Sequence, residues 1–200
     1  MIMGGAIGIV GGTFDPIHAG HLAMAREAQR QLDLEQVLLI PAGTPWQRTP
    51  AASALDRLAM AQLAVGTEAS IRVDEREVRR NRPTYTLDTL LELRAEWGTD
   101  HPLWLILGAD AFLNLPTWYH WEALFEHAHI AVACRPGYDL RKEEMAPALR
   151  QRLGTIALLD IPLLDISATG VRIALQQHQP VGDLLPAAVL DYIESHQLYR

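Results

Sequence analysis

Two histidines at helical spacing follow a glycine-rich turn near the start of the chain. His18 and His21 stand three residues apart in the stretch GGTFDPIHAGHL, which comes directly after an apolar run. Residues three apart on a helix share a face, so both imidazoles can point toward one ligand. A helix that begins at such a turn also presents backbone amides and the positive end of its dipole, which favour an anion. The pattern therefore predicts a site for a phosphate chain.

Two other interpretations of this stretch were weighed. A pair of histidines at this spacing could ligate zinc, but no third histidine or carboxylate stands at a supporting spacing nearby. A purely structural interpretation is also open, with His18 as a helix cap and His21 packed against a sheet. The dinucleotide fingerprint G-x-G-x-x-G and the P-loop G-x-x-x-x-G-K-[ST] are both absent from the sequence, which argues against the two common phosphate cradles and against an NAD-dependent dehydrogenase.

A second group of phosphate-binding residue types stands near the C-terminus, in the stretch ISATGVR. Ser167 and Thr169 supply hydroxyls at a predicted helix start, and Arg172 supplies a fixed positive charge. Arginine must carry most cationic contacts in this protein, because Lys142 is its only lysine.

The elements that must position these residues alternate along the chain. Short β-rich runs alternate with amphipathic helical patterns, which is typical of βαβ units. The sequence thus predicts an α/β fold, Rossmann-like and doubly wound, with a mainly parallel sheet, helices on both faces and a single domain over residues 1–200. Strands are predicted at 6–10, 36–43, 70–75, 103–110, 129–137 and 155–159. Helices are predicted at 19–32, 54–66, 84–98 with a threonine cap, 118–127, 142–153, 167–177 and 186–196, and the charged segment 76–82 is predicted as a loop or edge.

Composition limits the classes of partner. The chain has 200 residues, of which 49% are hydrophobic and 20% charged, so we expect a packed core. A net charge of −7 argues against a general nucleic-acid partner. The N-terminal stretch lacks the basic region of a signal peptide, and no apolar run approaches the ~18 residues of a membrane span. We therefore expect a cytoplasmic protein with no membrane or nucleic-acid partner, and the sequence leaves a homo-oligomer open.

The two motifs resemble those of a known superfamily. T-x-x-x-x-H-x-G-H, present as Thr13 to His21, and I-S-x-T-x-x-R, present as Ile166 to Arg172, resemble the signatures of the nucleotidyltransferases related to class I tRNA synthetases. The stretches NRPTYTLDTL, GADAFLNLPTWYHW and CRPGY, and essentially the whole chain, are similar to the bacterial nicotinate-nucleotide adenylyltransferases. This resemblance implies adenylyl transfer from ATP to nicotinate mononucleotide, which gives deamido-NAD and pyrophosphate in NAD biosynthesis.

The resemblance also implies roles for individual residues, with Tyr85 and Thr86 at the nicotinate carboxylate and Trp118 stacked on the pyridine ring. Catalysis would fall to His18, His21 and Arg172. ATP would contact these three and Gly11, Gly12, Thr13, Phe14, Gly108, Asp110, Ile166, Ser167 and Thr169, and helices over about 167–200 would complete its site. The mononucleotide would contact Arg48, Thr84, Tyr85, Thr86, Trp118 and Arg135. Mg²⁺ would be held mainly by ATP phosphates and water, without a dedicated metal ligand.

One position departs from the family pattern. The loop after the second predicted strand reads TPWQR, so Gln47 stands where the family usually has a histidine. An amide can donate a hydrogen bond to phosphate, but it carries no charge. The alternatives are phosphopantetheine adenylyltransferase, FMN adenylyltransferase and a nucleotide-binding regulator without turnover. The PTYT and PTWY stretches disfavour the first two, and the intact phosphate motifs disfavour the third.

Overall fold

One parallel sheet forms the centre of the protein. A computed structural model describes residues 5–80, 82–134, 140, 145–161 and 166–200, so Arg135 lies outside the described residues. Within them, six strands pair in parallel in the order β3-β2-β1-β4-β5-β6. The strands are β1 (Ile7–Gly12), β2 (Gln36–Pro41), β3 (Ile71–Val73), β4 (Leu103–Gly108), β5 (His129–Cys134) and β6 (Ile156–Asp160). This order is that of a doubly wound fold, which confirms the predicted class.

The two central strands separate at their carboxyl ends. β1 pairs with β2 as far as Gly12 opposite Pro41, and β4 pairs with β5 as far as Gly108 opposite Ala133. The pairing between β1 and β4 stops earlier, at Ile9 opposite Leu105. A crevice therefore opens between the ends of β1 and β4, at the point where the strand order reverses and where such folds bind ligands.

Helices cover both faces of the sheet. They are α1 (Ala19–Gln31), α2 (Ala54–Val65), α3 (Arg76–Arg79), α4 (Thr86–Trp97), α5 (Ala109–Leu113), α6 (Leu124–His127), α7 (Pro147–Arg150), α8 (Ala168–Gln176) and α9 (Ala187–Ser195). Strand side chains alternate between faces, so β2 sends Val37 and Leu39 toward α1, α2, α8 and α9, and Leu38 and Ile40 toward α4 to α7. No described helix has the length and apolar character needed to span a membrane.

Four predicted elements differ from the structure, and one of them is the helix predicted at 142–153, which is α-helical among the described residues only at Pro147–Arg150. Residues within 76–82 form the short helix α3 rather than a loop. The predicted threonine cap of α4 is wrong, because Tyr85 is the N-cap residue and the Thr84 amide donates to the Thr44 carbonyl at 3.1 Å. The helix predicted at 118–127 begins only at Trp121, as a turn of 3-10 helix. Glu77 of α3 and Thr84 before α4 both meet the distant loop after β2, and the left-handed backbone of His120 (φ 46°) interrupts the helix predicted from residue 118.

A close backbone approach joins the loop after β2 to α3. A Cβ atom at Gly43 would overlap the backbone carbonyl oxygen of Glu77. Only glycine therefore lets these two segments touch, and their contact brings α3 against the loop that carries Arg48. A Cβ at Gly154, by contrast, would meet nothing within 4 Å.

We predict that Gly43→Ala lowers the free energy of unfolding by about 1–3 kcal/mol, because a backbone atom cannot move aside as a side chain can. Gly154→Ala is the matched control and should be neutral or slightly stabilising. Urea unfolding of both variants measures the difference. Equal unfolding midpoints would show that the two segments separate without cost.

Candidate active site

The two histidines lie together at the start of α1. Their rings stack with centroids 3.7 Å apart, and the Phe14 ring meets His21 edge-on at 5.0 Å. The backbone amide of His18 donates to Nδ1 of His21 at 3.2 Å. His21 therefore accepts at Nδ1, and its neutral form carries the proton on Nε2 as a donor. His18 is the N-cap residue of α1, and its ring lies stacked on that of His21.

Both imidazoles are neutral at neutral pH. Burial lowers the pKa of His18 to about 4. Burial, and then the neighbouring charge of His18, lower the pKa of His21 to about 3. Nδ1 of His18 is buried and has no hydrogen-bond partner among the described residues. The site thus offers two uncharged rings in a place that burial makes unfavourable for charge.

Fewer backbone amides are free at the start of α1 than the sequence suggested. The Ala19 amide donates to the Leu184 carbonyl at 2.9 Å, and the His21 amide donates to the His18 carbonyl at 2.9 Å. The first contact ties α1 to the segment before α9. Imidazole donors therefore matter more at this end of α1 than helix-terminal amides do.

Asp15 connects four parts of the chain in the turn before α1. Its carboxylate is buried and accepts hydrogen bonds from the amides of Ala51 at 2.7 Å and Ala52 at 3.1 Å, and from the Tyr199 hydroxyl at 2.7 Å. Its backbone carbonyl accepts from Nη1 of Arg172 at 2.6 Å. Burial, and then the hydrogen bond to Asp15, raise the pKa of the Tyr199 phenol, so it stays a donor.

The second motif meets the first through Arg172. Its Nη2 also contacts the Thr169 hydroxyl at 3.2 Å, and the Ser167 hydroxyl caps α8 by accepting from the Gly170 amide at 3.0 Å. A Cβ at Gly20 would come within 4.0 Å of the Ile166 side chain. Residues from both motifs, far apart in sequence, therefore lie at one edge of the sheet.

The crevice between β1 and β4 is open space. Cβ atoms added at Gly11 or Gly108 would meet nothing within 4 Å, so neither strand end is packed against protein. Gly108 precedes α5, where Asp110 is exposed. A Cβ at Gly12 would lie 2.7 Å from the Phe14 ring, so glycine lets that ring pack beneath the turn. The predicted residues at both strand ends thus border one opening beside the histidines.

A cavity of about 350 Å³ adjoins this region, lined in part by Gly43, Arg48, Ser53 and Arg57. Arg57 is 1% exposed and donates to the carbonyls of Thr13 at 2.7 Å and Gly43 at 2.9 Å. Burial lowers the pKa of its guanidinium, and the charge of Asp15 opposes that effect. One buried cation therefore links the loops that follow β1 and β2.

The segment at the start of α4 lies against the loop after β2. Thr84 forms an isolated parallel bridge with Pro45. The Tyr85 ring stands 4.5 Å from that of Tyr119 and 6.1 Å from that of Trp46, centroid to centroid. Trp46 and Tyr119 are both about half exposed, at 48% and 46%. The predicted residues Thr84, Tyr85 and Thr86 thus stand beside a row of accessible aromatic surface.

The Gln47 side chain makes a contact that the comparison with the family's usual histidine did not suggest. Its side-chain amide donates to the Thr117 hydroxyl at 2.8 Å. Thr117 directly precedes Trp118, which packs partly buried against the core on the α4 face. Gln47 therefore joins the loop after β2 to the turn that carries Trp118.

Sequence reasoning missed Asp15, Arg57 and Tyr199. Arg57 left a signal, because it shares the buried face of α2 with Met60 and Ala61, where a cation needs a buried partner. Asp15 and Tyr199 left none, since neither sits in a periodic pattern.

The fold and this site together define a nucleotide-binding α/β protein with two phosphate motifs. The cytidylyltransferase-like family model matches residues 9–174. A protein of Chromobacterium violaceum named "Probable nicotinate-nucleotide adenylyltransferase" is 46% identical over 99% of this chain and 100% of its own length. A protein of Pseudomonas fluorescens with the same name is 44% identical over 99% of both chains. The chain belongs to the nicotinate-nucleotide adenylyltransferase family.

Solved structures agree in fold. The nicotinic acid mononucleotide adenylyltransferase of Plasmodium falciparum, complexed with NaAD, superposes with a TM-score of 0.78 at 18% identity, over 98% of this chain and 97% of that one. The same enzyme complexed with APC gives a TM-score of 0.72 at 20% identity, with the same coverage. At these identities the likeness establishes the fold.

We predict that the imidazole proton signals of His18 and His21 do not titrate between pH 5.0 and 7.5 in the ligand-free protein, because burial holds both pKa values near 4 or below. The unfolded chain binds these protons near pH 6.5, so stability should fall as pH drops from about 6.5 toward 4. Nuclear magnetic resonance, with signals assigned by His→Gln variants, measures the first effect. Titration midpoints near 6.5 would contradict the buried, neutral pair.

Proposed function

We propose that the protein transfers the adenylyl group of ATP to nicotinate mononucleotide, forming deamido-NAD and releasing pyrophosphate. The observation that carries this choice is the full-length match to relatives of that name, at 46% identity in the first case. The meeting of the two phosphate motifs beside the crevice supports ATP as the donor. A phosphopantetheine or FMN acceptor has no comparable support.

In this reaction a phosphate oxygen of the mononucleotide attacks the α-phosphorus of ATP. The bond from that phosphorus to the bridging oxygen breaks, and pyrophosphate leaves with the electron pair. A phosphate monoester is largely ionised at neutral pH, so the attack requires no strong general base. The protein's contribution is alignment and stabilisation of the charge that moves onto the leaving group.

The histidine pair and Arg172 are proposed to stabilise that charge. His21 would donate from Nε2 to a phosphate oxygen, and His18 lies stacked against it. A bound polyphosphate favours the protonated imidazole, so it would raise both lowered pKa values as the substrate binds. Arg172 supplies a charge that does not titrate. Ser167, Thr169 and the helices over about 167–200 would complete this end of the ATP site.

The remaining predicted site residues are assigned to ATP or to the mononucleotide according to whether they border the crevice between β1 and β4 or the cavity lined by Arg48. The crevice lined by Gly11, Gly12 and Gly108, with Thr13, Phe14, Asp110 and Ile166 nearby, would receive the rest of ATP. The cavity with Arg48 would receive the mononucleotide phosphate, beside the aromatic row. Thr84, Tyr85 and Thr86 would bind the nicotinate carboxylate, and Trp118 would contact the ring. Arg135 belongs to this proposal on resemblance alone.

The side chains of the site fit a metal ion that enters bound to ATP. Among the described residues no group of three or more His, Cys, Asp or Glu side chains could hold a metal ion. Mg²⁺ would therefore be held by ATP phosphate oxygens and water, where it offsets phosphate charge. Asp110, exposed at the crevice, is the nearest carboxylate that the sequence suggested.

We predict that the purified protein releases pyrophosphate from ATP and Mg²⁺ with nicotinate mononucleotide, and less efficiently with nicotinamide mononucleotide or phosphopantetheine. A pyrophosphate-release assay with the three acceptors in parallel measures this preference. His21→Ala, prepared identically, controls for contaminating activity and should be slower by about 10²–10³. Release with phosphopantetheine alone would overturn the acceptor, and silence with all three would favour a regulator.

A further inference from the structure

One buried carboxyl has no part in the proposed mechanism. Glu77 lies in α3 and is 8% exposed. Its backbone touches Gly43 in the loop after β2, and its side chain faces the start of α4. It therefore sits between the two segments proposed to hold the mononucleotide.

The Glu77 carboxyl is held by a directed chain of hydrogen bonds. Nη1 of Arg80 donates to the Thr89 hydroxyl at 2.9 Å, and that hydroxyl donates to Oε1 of Glu77 at 2.5 Å. Arg80 also makes two bonds to Glu92, from Nε at 2.9 Å and from Nη2 at 2.6 Å. The charge of Arg80 is thus already paired with Glu92. An ionised Glu77 would leave this cluster with a net negative charge.

The charges around Glu77 come from three elements. Arg80 at the end of α3 favours its ionised form, and Glu92 of α4 disfavours it. Gly43, Thr44 and Pro45 are uncharged, but Arg57 of α2 donates to the Gly43 carbonyl beside the backbone of Glu77. Burial is the largest effect and raises the pKa of Glu77 to about 7, while the hydroxyls of Thr89 and Thr84 oppose the rise. The Glu77 carboxyl is therefore harder to ionise than an exposed glutamate.

Glu77 also lies directly behind the segment proposed to bind the substrate carboxylate. Thr84 is buried, and its amide is fixed on the Thr44 carbonyl. Tyr85 and Thr86 follow at once.

We propose that Glu77 is a positioning residue that determines specificity: in its neutral form it supports the Thr84–Thr86 segment and tolerates a second carboxylate nearby, and in its ionised form it repels that carboxylate. The inference rests on the proposed function. Repulsion between two carboxylates is weakly screened in a buried region, so it acts on the acid mononucleotide and leaves the amide unaffected.

The test compares the Kd values of nicotinate and nicotinamide mononucleotide between pH 6 and 8 by isothermal titration calorimetry. Their ratio, acid over amide, should rise about threefold or more as Glu77 ionises. The substrate phosphate and the two histidines are common to both ligands, so their titration cancels in the ratio. Glu77→Gln keeps an oxygen acceptor for Thr89 and should make the ratio independent of pH. Glu75→Gln, on the exposed side of the same segment, is the control and should behave as wild type.

A second variant keeps the test decisive if Glu77→Gln fails to fold. Thr89→Val removes a donor to the ionised carboxyl and should shift the midpoint of the ratio to higher pH. A flat ratio in the wild-type protein, or the same pH dependence in Glu77→Gln, would overturn the role of Glu77. Pyrophosphate release from wild type with the nicotinate form separates that outcome from a failure of the proposed function.

Discussion

The buried carboxylate of Asp15 is the interaction on which the arrangement of the site depends. It accepts bonds from the segment before α2 and from Tyr199 near the C-terminus, and its own carbonyl receives Arg172. Burying a carboxyl group is costly unless its oxygens are hydrogen-bonded. Those partners must therefore converge on one turn, and the convergence brings the second phosphate motif to the first.

The buried guanidinium of Arg57 joins separate segments on the proposed mononucleotide side, as Asp15 does on the proposed ATP side. Arg57 donates to the turn after β1 and to the loop after β2, and that loop in turn touches Glu77 and pairs with Thr84. The proposed ATP and mononucleotide sites are therefore mechanically connected through α2. The neutral imidazoles of His18 and His21 and the guanidinium of Arg172 lie on the proposed ATP side, and Glu77, whose pKa is raised, lies on the proposed mononucleotide side. We therefore expect the two proposed sites to respond differently to pH.

The sequence allowed the fold class and the family to be predicted, because alternating strands and helices and short motifs are local patterns. The contacts of Asp15 could not be predicted, since its partner Tyr199 lies 184 residues away and neither residue belongs to a periodic pattern. The predicted cap at Thr84 failed for a related reason: its amide pairs with a distant loop. Gln47 could be recognised as a departure, but its contact with Thr117 required the structure.

The most direct test of this account is the affinity of Asp15→Asn for ATP alone, measured by isothermal titration calorimetry on protein shown to be folded by circular dichroism. Asparagine keeps the shape but cannot accept from all three donors, and loss of a bond to a charged group costs about 1.5–3 kcal/mol. We expect the Kd for ATP to rise about tenfold or more. Thr155→Val, which removes an exposed hydrogen bond to the Arg152 carbonyl at the amino end of β6, should leave it unchanged. A folded Asp15→Asn protein with wild-type ATP affinity would contradict the account.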